Sequence, residues 1–416
     1  MKTAIVSVGT ELLMGRVVNT NTVYLSQELN LLGFDVLYHH TAGDNPKRLK
    51  TLLIQALQEC DLIITTGGLG PTQDDLTKEM VCQVMGDTLT FDEPSYQALK
   101  KAFQAFGKPM TENNVKQTYF PSRAVIFPNE RGTAPGFALE KEGKYVICMP
   151  GPPKEMKAMF QGQAKPFLEK MSGGKLVYAD VRTYGVGESE LETKLLSLID
   201  GQRDPTFATY ALEGEAFLRV ASKGDTREQA QKAVNEGVAK ACEILGDSVY
   251  STTGTSLAET VGQYLVEHKI SLSAAESATG GLFASSLIAL PGISEIFDSS
   301  LVTYSNQAKI RELGVRSDTL QTYGAVSRET AAEMAEGVSK KTGSDLCVSI
   351  TGIAGPGGGS DTKPVGLAYI GISYKGKTSV YEMRTGKKNR ESNRHRMTLR
   401  MLWLVWQVLR QKTVHQ

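Results

Sequence analysis

A serine and a lysine in the C-terminal third of the sequence are spaced as a catalytic pair would be. Ser277 follows the small-residue strand of "SLSAAES", and Lys309 lies about one αβ unit further along, in "SSLVTYSNQAK". A unit of that length returns the chain to the same sheet edge, so both side chains could face one crevice. A lysine whose burial lowers its pKa can activate a serine without histidine. A surface lysine in an ordinary helix-face contact is the alternative.

Other nucleophile and metal arrangements are poorly represented. The sequence contains no GxSxG elbow after a strand, which disfavours an α/β-hydrolase. Its 5 histidines are never four residues apart and none follows an obvious strand. A Ser-His-Asp triad and a zinc site are therefore disfavoured.

The residues around Ser277 suggest how a substrate would be held. The glycines of "ATGG" and a helix beginning near Gly281 would place backbone N–H groups, including those of Ala278 and Thr279, at an oxyanion. Glu276 is either an orienting group or a partner of the lysine. The glycine run of "TGIAGPGGG" can wrap N–H groups around an anion, or be a plain flexible hairpin. Arg390 and Arg394, one helical turn apart, would form an anion clamp or a solvated face.

A second group of chemical residues lies in "TTGGLGPTQDD" (65–75), between an apolar strand and a helix. Its glycines, Gly67, Gly68 and Gly70, would let a phosphate approach the backbone near a helix N-terminus. Asp74 and Asp75 would repel a bare phosphate unless a divalent cation lies between them. The alternative is that one of these aspartates simply caps the helix.

Three more stretches would lie at the same strand ends: "VGTELLMGRVVNTN" (8–21), "GDN" (43–45) and "MPGPPKEM" (149–156). The polar residues that they bring towards the crevice are Glu11, Asn19, Asp44, Lys154 and Glu155.

The pattern of elements predicts an α/β protein with three regions. Residues 1–170 alternate strand and helix, as in a mostly parallel sheet with helices on both faces. An "SGG" at 172–174 marks a boundary, and 175–250 predicts a small α+β domain that connects or dimerises the chain. Residues 255–416 return to alternating strands and helices.

The motifs of the first region, with "ENNVKQ" (112–117) and "GTAPGF" (132–137), resemble the molybdenum-cofactor-binding-type domain of the MogA and MoaB proteins, as it occurs at the N-terminus of the CinA family. The resemblance implies a three-layer α/β/α domain. In the CinA branch it implies metal-dependent hydrolysis of ADP-ribose to AMP and ribose 5-phosphate; MogA-type relatives adenylylate molybdopterin. Asp44 and Asp75 would then hold the divalent metal, with the glycines and the Lys154 region on the nucleotide phosphates.

"AES-TGG", "VTYSNQAK", "GAVS", "TGIAGPGGG" and "KPVG" occur in order in the third region and resemble the CinA C-terminal domain, which is also the stand-alone PncC amidohydrolase. The resemblance implies hydrolysis of nicotinamide mononucleotide (NMN) to nicotinate mononucleotide and ammonia, with no metal. Ser277 would be the nucleophile, Lys309 the base, and Tyr304 a neighbour of the reacting group. The candidate substrate contacts are Glu276, Ala278, Thr279, Gly280, Thr351, Gly352, Gly355, Gly357 and Arg390. The family usually has cysteine where this chain has Ala278, so no side-chain role is carried over there.

The composition favours a small-molecule enzyme. There are 46 Lys and Arg against 45 Asp and Glu, so no overall field favours nucleic acid. No stretch is apolar enough for a membrane span, and 5 scattered cysteines favour a reducing, cytoplasmic compartment. We expect nucleotide substrates and, from the resemblance, a homodimer. The alternatives are a molybdopterin-binding or adenylylating protein and a non-catalytic adaptor in competence or DNA repair.

Overall fold

The computed structural model describes residues 1–105, 107, 109–171, 175–386 and 388–413. The boundary predicted at 172–174 lies outside these residues, as do the last three residues of the third predicted region. Contacts group the chain into two units, Met1–Val177 with Ser222–Ala233, and Tyr178–Ala221 with Val234–Gln416. In the described part, no helix combines the length and the apolar character needed to cross a bilayer.

The first unit begins with alternating strands and helices. Its helices start at recognisable signals, since Asn19 and Asn45 each accept a hydrogen bond from the first turn of the helix that follows. In chain order the elements are β1 (Lys2–Val8), α1 (Thr10–Leu13), α2 (Thr20–Leu31), β2 (Asp35–Ala42), α3 (Pro46–Glu59), β3 (Leu62–Thr66), α4 (Thr77–Val84), β4 (Leu89–Phe91), α5 (Glu93–Ala105), a 3₁₀ segment (Glu112–Thr118), β5 (Tyr119–Pro121), β6 (Val125–Phe127), β7 (Gly136–Lys141), β8 (Lys144–Met149), α6 (Pro153–Met159), a π-helical turn (Phe160–Ala164) and α7 (Lys165–Glu169).

Six of these strands form one sheet in the order β2-β1-β3-β8-β7-β6. The first four are parallel, and β7 and β6 add antiparallel pairs at one edge. Both faces are covered, because Ala4 and Val6 pack with Leu53 of α3 while Ile5 packs with Leu25 of α2. The predicted α/β fold with helices on both faces is confirmed for this region.

The next elements are β9 (Lys175–Tyr184), α8 (Glu188–Ile199), β10 (Thr206–Leu212), β11 (Glu215–Gly224), α9 (Arg227–Leu245) and β12 (Val249–Ser251). The strands form a sheet in the order β10-β11-β9-β12, and the pairs β10–β11 and β9–β12 are antiparallel. This is a small α+β arrangement.

The remaining elements form the C-terminal α/β domain. In chain order they are α10 (Leu257–Glu267), β13 (Leu272–Glu276), α11 (Leu282–Ile288), β14 (Phe297–Val302), α12 (Asn306–Leu313), α13 (Ser317–Tyr323), α14 (Arg328–Thr342), β15 (Leu346–Gly352), β16 (Leu367–Tyr374), β17 (Lys377–Arg384) and α15 (Arg390–Thr413).

The sheet of this domain has the order β14-β13-β15-β16-β17, with β14, β13 and β15 parallel. Ala274 packs on one face with residues of α10, α11 and α15, and Ala275 packs on the other with residues of α12, α13 and α14. Strand β13 is thus buried on both sides, which explains why its sequence is all small or apolar up to Glu276. Parallel β13 and β14 end at the same edge, so the segments that follow them are neighbours.

Gly337 lets α14 approach α12, the helix that carries Lys309. A Cβ at Gly337 would lie 2.0 Å from the carbonyl oxygen of Leu313, the last residue of α12. A backbone oxygen cannot move aside as a flexible side chain can. The glycine therefore fixes the spacing of these two helices.

We expect Gly337→Ala to destabilise the protein, although alanine is intrinsically the better helix former. The clash with the Leu313 carbonyl should lower the free energy of unfolding by about 2 kcal/mol, as overpacking does. Urea unfolding followed by circular dichroism measures this. Glu336→Ala, one position earlier on the same helix, is the control and should be almost neutral; equal stability of the two variants would contradict the packing argument.

Candidate active sites

The structure brings Ser277 and Lys309 into direct contact. Ser277 follows β13 and Lys309 projects from the first turns of α12, which follows the neighbouring strand β14. Lys309 Nζ lies 3.0 Å from Ser277 Oγ. Both residues are buried, Lys309 to the extent that only 1% of it is exposed. The lysine is therefore an internal partner of the serine rather than a surface side chain.

The other contacts of Lys309 define how its nitrogen is oriented. Nζ donates to the backbone oxygens of Thr303 at 2.7 Å and Tyr304 at 3.4 Å. Carbonyl oxygens can only accept, whereas the serine hydroxyl can donate or accept. A neutral amine has two hydrogens, which suit the two carbonyls, and one lone pair, which then faces Ser277.

Burial favours this neutral form. It lowers the pKa of Lys309 to about 8, because the charged ammonium is poorly solvated inside the domain. The three polar contacts of Nζ are all with uncharged groups. None of these contacts supplies a negative charge that would stabilise the ammonium form of Lys309. The geometry therefore suits a general base that works near neutral to mildly alkaline pH.

Glu276 does not pair with the lysine. Its carboxylate is fully buried and turned to the start of α11, where it accepts from the backbone N–H groups of Gly281, Phe283 and Ala284. The hydroxyls of Thr279 and Ser300 donate to it as well. Five donors satisfy this carboxylate, so the lysine-pairing role is wrong and an orienting role fits.

The predicted oxyanion site needs correction for the same reason. The N-terminus of α11 is occupied by the Glu276 carboxylate and is not available to a substrate oxygen. The turn before it remains, because in the described chain the backbone N–H groups of Ala278 and Thr279 have no hydrogen-bond acceptor. These two N–H groups, next to Ser277, are the predicted donors and remain the candidates; only the predicted contribution of the helix N-terminus is wrong.

The remaining predicted amidase residues have hydrogen-bond partners of different kinds. Tyr304 is 63% exposed, and its hydroxyl accepts from Arg390 Nη2 at 3.0 Å. Arg390 Nη1 donates to Gly355 O at 2.7 Å. The buried Thr351 hydroxyl donates to Ala325 O at 2.6 Å. Thr351 is thus occupied structurally, and Arg390 links Tyr304 to the glycine loop that contains Gly355 and Gly357 and follows Gly352 at the end of β15.

The expected clamp of Arg390 and Arg394 on one anion is also wrong. Arg394 turns towards the serine loop and donates to Thr279 O through Nε at 3.2 Å and Nη2 at 2.7 Å. The two arginines therefore hold two different backbone segments of the site. Sequence spacing gave their common helix face but could not give their acceptors.

In the first unit, a crevice of about 360 Å³ opens at the carboxyl ends of β1, β3 and β8. It brings together most of the residues predicted for a nucleotide site. Among its lining residues are Glu11, Asp44, Gly67, Gly68, Gly70, Asp74, Asp75 and Glu155.

The aspartates of this crevice are held by threonines. Asp44 Oδ2 accepts from the N–H of Thr10 at 2.9 Å and from its hydroxyl at 2.7 Å. Asp75 Oδ2 accepts from the N–H of Thr72 at 2.9 Å, and the Thr72 hydroxyl lowers the pKa of Asp74. Neither Asp74 nor Asp75 caps α4, whose first turn receives no side-chain cap.

Two predicted members are not among the residues that line this crevice, although Asn19 lines an adjoining one together with Glu11. Asn19 caps α2 and donates to Ser7 Oγ at 2.8 Å, so its side chain is occupied in holding the fold. Lys154 is exposed on α6 and is not one of the described residues that line the crevice.

Sequence reasoning missed a cation at this loop. Lys116 Nζ donates to the backbone oxygens of Thr72 and Asp75 and lies 3.4 Å from Glu79. Lys78 is buried, donates to Lys116 O at 2.7 Å, and has its pKa lowered to about 8 by burial. The stretch "ENNVKQ" marked this segment, but only the fold shows that Lys116 reaches the aspartate loop.

Comparisons with protein families match three regions of the chain. Residues 4–170 match the probable molybdopterin binding domain, 180–251 the damage-inducible protein CinA KH domain, and 254–409 the CinA C-terminal domain. The middle match gives a family identity to the region that the sequence described only as a small α+β connector.

Relatives match over nearly the whole length. A competence-damage inducible protein of Clostridium botulinum (strain Okra / Type B1) is 46% identical over 383 residues, which cover 92% of this chain and 94% of the relative. That of Acetivibrio thermocellus is 45% identical over 394 residues, 94% of this chain and 95% of the relative. The crystal structure of the competence/damage inducible protein CihA from Agrobacterium tumefaciens is 40% identical with a TM-score of 0.36, covering 37% of this chain and 93% of that one.

The resemblance found in the sequence motifs is therefore confirmed, and the chain belongs to the CinA family of competence/damage-inducible proteins.

Proposed function

We propose that the C-terminal domain hydrolyses the carboxamide of NMN to nicotinate mononucleotide and ammonia by a Ser-Lys mechanism. The observation that carries the proposal is the 3.0 Å contact between Ser277 Oγ and a buried Lys309 whose pKa is lowered to about 8. A serine hydroxyl next to a neutral amine, with two nearby backbone N–H groups that have no acceptor in the described chain, is an arrangement that can catalyse acyl transfer. The resemblance to nicotinamide-nucleotide amidohydrolases supplies the substrate.

The first half of the reaction forms an acyl-enzyme. Neutral Lys309 takes the proton of the Ser277 hydroxyl as Oγ attacks the carboxamide carbon. The N–H groups of Ala278 and Thr279 receive the negative charge that develops on the carboxamide oxygen. The ammonium of Lys309 then gives its proton to the leaving nitrogen, the C–N bond breaks, and ammonia departs.

The second half reverses these roles. Lys309, neutral again, takes a proton from water, and the hydroxide oxygen attacks the acyl carbon. The ester bond to Ser277 breaks and Oγ recovers its proton from Lys309. The product is the carboxylate, nicotinate mononucleotide.

Binding of the nucleotide phosphate would hold the ring in place for this chemistry. Arg390 has five N–H donors, of which two are engaged by Gly355 O and the Tyr304 hydroxyl. The others, with the N–H groups of the glycine loop, suit the 5′-phosphate. Binding at this remote group orients the amide at Ser277.

We also propose that the N-terminal domain hydrolyses ADP-ribose to AMP and ribose 5-phosphate with a divalent metal. The supporting observation is a crevice that joins three glycines of one loop to the carboxylates of Asp44 and Asp75. A Cβ at Gly70 would lie 2.4 Å from Asp75 Oδ2, so the absence of a side chain is what lets this carboxylate sit against the loop.

The residues fit a divalent cation that arrives with a phosphate. Among the described residues no three His, Cys, Asp or Glu side chains form a metal site alone. Asp44 and Asp75 each engage Oδ2 with a threonine, which leaves Oδ1 for a ligand. Magnesium-like ions take one or two carboxylates and complete their shell with phosphate oxygens and water. The ion would neutralise charge on the phosphoanhydride, and the loop N–H groups would orient it.

Ser277→Ala should lower ammonia release from NMN by about 10⁴-fold, and Lys309→Met should cost a similar amount. The double variant should be no worse than either single variant, because the two residues act as a unit. Steady-state ammonia assays measure this. Ser285→Ala and Lys340→Met, both exposed on helices of the same domain, are matched controls that should keep full activity. Near-normal activity of Ser277→Ala would rule out the covalent mechanism.

The pH dependence of NMN hydrolysis should report Lys309. The folded-state pKa is about 8, so the base is protonated and inactive below this pH and neutral above it. We expect kcat/KM to rise about tenfold per pH unit below pH 8 and to level off above it. Lys340→Met, which removes an exposed lysine of the same domain, is the control and should keep this inflection. An NMN profile that is flat from pH 6 to 9 would contradict a lysine base.

Removing divalent metal with a chelator should abolish ADP-ribose cleavage and leave ammonia release unchanged. Asp75→Asn should likewise lower only the first activity, by 100-fold or more, because it removes a carboxylate charge from the cation. Glu142→Gln, exposed in the turn between β7 and β8, is the control. Equal loss of both activities on chelation would contradict two independent sites.

A further inference from the structure

The turn that carries the proposed oxyanion donors is held from several directions. Gly280 N–H donates to Ser277 O at 3.2 Å and closes the turn. The Thr279 hydroxyl donates to the Glu276 carboxylate at 2.7 Å. On the other side, the Thr279 carbonyl accepts the two hydrogen bonds from Arg394. Thr279 is thus fixed between a buried anion and a cation.

The arginine has an unusual acceptor for its charge. Its Nε and Nη2 converge on one neutral carbonyl oxygen of a segment 115 residues away in the sequence. Hydrogen bonds from a charged donor are about twice as strong as neutral ones. The planar guanidinium also fixes the direction from which the carbonyl is held, which a lysine ammonium cannot do.

The neighbours of Arg394 on α15 hold the other wall of the site. Asn393 is fully buried and donates to Ala354 O at 3.0 Å, next to the Gly355 carbonyl that Arg390 holds. The first turn of α15 therefore joins the glycine loop after β15 to the serine turn after β13. Both walls are tied to one helix.

We propose that Arg394 is a positioning residue for the amide-hydrolysis step: it sets the orientation of the Ala278 and Thr279 N–H groups through the Thr279 carbonyl. This inference rests on the proposed function of Ser277. Without the guanidinium the Thr279 carbonyl keeps only the long 3.4 Å hydrogen bond from the Leu282 N–H, and the peptide groups around Thr279 can tilt while Ser277 and Lys309 stay in place. The two N–H groups would then be displaced from the oxyanion by up to about 1 Å, and a displacement of this size lowers the rate in a preorganised site.

Three variants test the inference: Arg394→Met, Arg394→Lys, and the control Arg384→Met, which removes an exposed arginine of β17 that pairs with Glu382. With NMN, Arg394→Met should lower kcat by about 100-fold, comparable to losing one oxyanion donor. Arg394→Lys keeps one charged donor and is the variant expected to disturb folding less. It should lower kcat by about tenfold. KM should stay within threefold of the parent, and the pH inflection near 8 should remain.

A retained kcat in Arg394→Met, within threefold of the control, would overturn the inference. A large rise in KM at constant kcat would also overturn it, since Arg394 would then be a substrate contact. A displaced pH inflection would show that the arginine acts through Lys309 instead, and would overturn it as well.

A second measurement separates this inference from the choice of substrate. A fluorophosphonate reacts with an activated serine: the hydroxyl gives its proton to Lys309, Oγ bonds to phosphorus, fluoride leaves, and the phosphoryl oxygen takes the oxyanion position. Mass spectrometry should find the adduct on Ser277 of the parent, with labelling at least tenfold slower in both Arg394 variants and unchanged in Arg384→Met. Normal labelling without NMN hydrolysis would reject the substrate and leave the inference standing; equal labelling rates in all variants, or no labelling of the parent, would overturn it.

Discussion

The C-terminal site depends on where the charge of Glu276 is satisfied. A fully buried carboxylate without an ion partner is tolerable only if hydrogen bonds replace its hydration, and here three backbone N–H groups and two hydroxyls do so. Those N–H groups belong to the first turn of α11, which would otherwise carry unpaired donors. One residue thus completes the strand, begins the helix, and fixes the turn between them, on which Ser277 sits.

This arrangement also allows the pKa of Lys309 to be low. A carboxylate beside the lysine would hold the proton on Nζ and raise its pKa, because the charged form would gain an opposite charge. Glu276 and Ser277 are adjacent, but β13 ends between them and their side chains go to different partners. The carboxylate turns to α11 while the serine meets an amine that contacts only neutral groups, and the pKa of that amine falls to about 8. The same short stretch therefore holds a buried carboxylate without raising the pKa of the neighbouring amine.

Much of this could be predicted from sequence, because it follows from periodicity and from spacing along parallel strands. The apolar runs of β1, β3, β13 and β15 indicate strands buried on both faces. The meeting of Ser277 with Lys309 and the approach of Asp44 to the glycine loop follow from the rule that parallel strands end at one edge. What could not be predicted are acceptors distant in sequence: Thr279 O for Arg394, Ala325 O for Thr351, and the aspartate loop for Lys116. The residue type determines how many hydrogen-bond donors a side chain has. Only the fold determines which backbone oxygen accepts those hydrogen bonds.

Ala278 stands where the resemblance to the CinA C-terminal domain leads us to expect cysteine. Its side chain is buried in the apolar core of the domain, in the same cluster as Phe283 and Ala274. A cysteine there would act as a small buried hydrophobe. The group of residue 278 that we propose to meet the substrate is its backbone N–H, which alanine and cysteine share. The proposed role of residue 278 therefore depends on its backbone. Its side chain matters through packing, because it must be small enough to leave the turn between Glu276 and α11 in place.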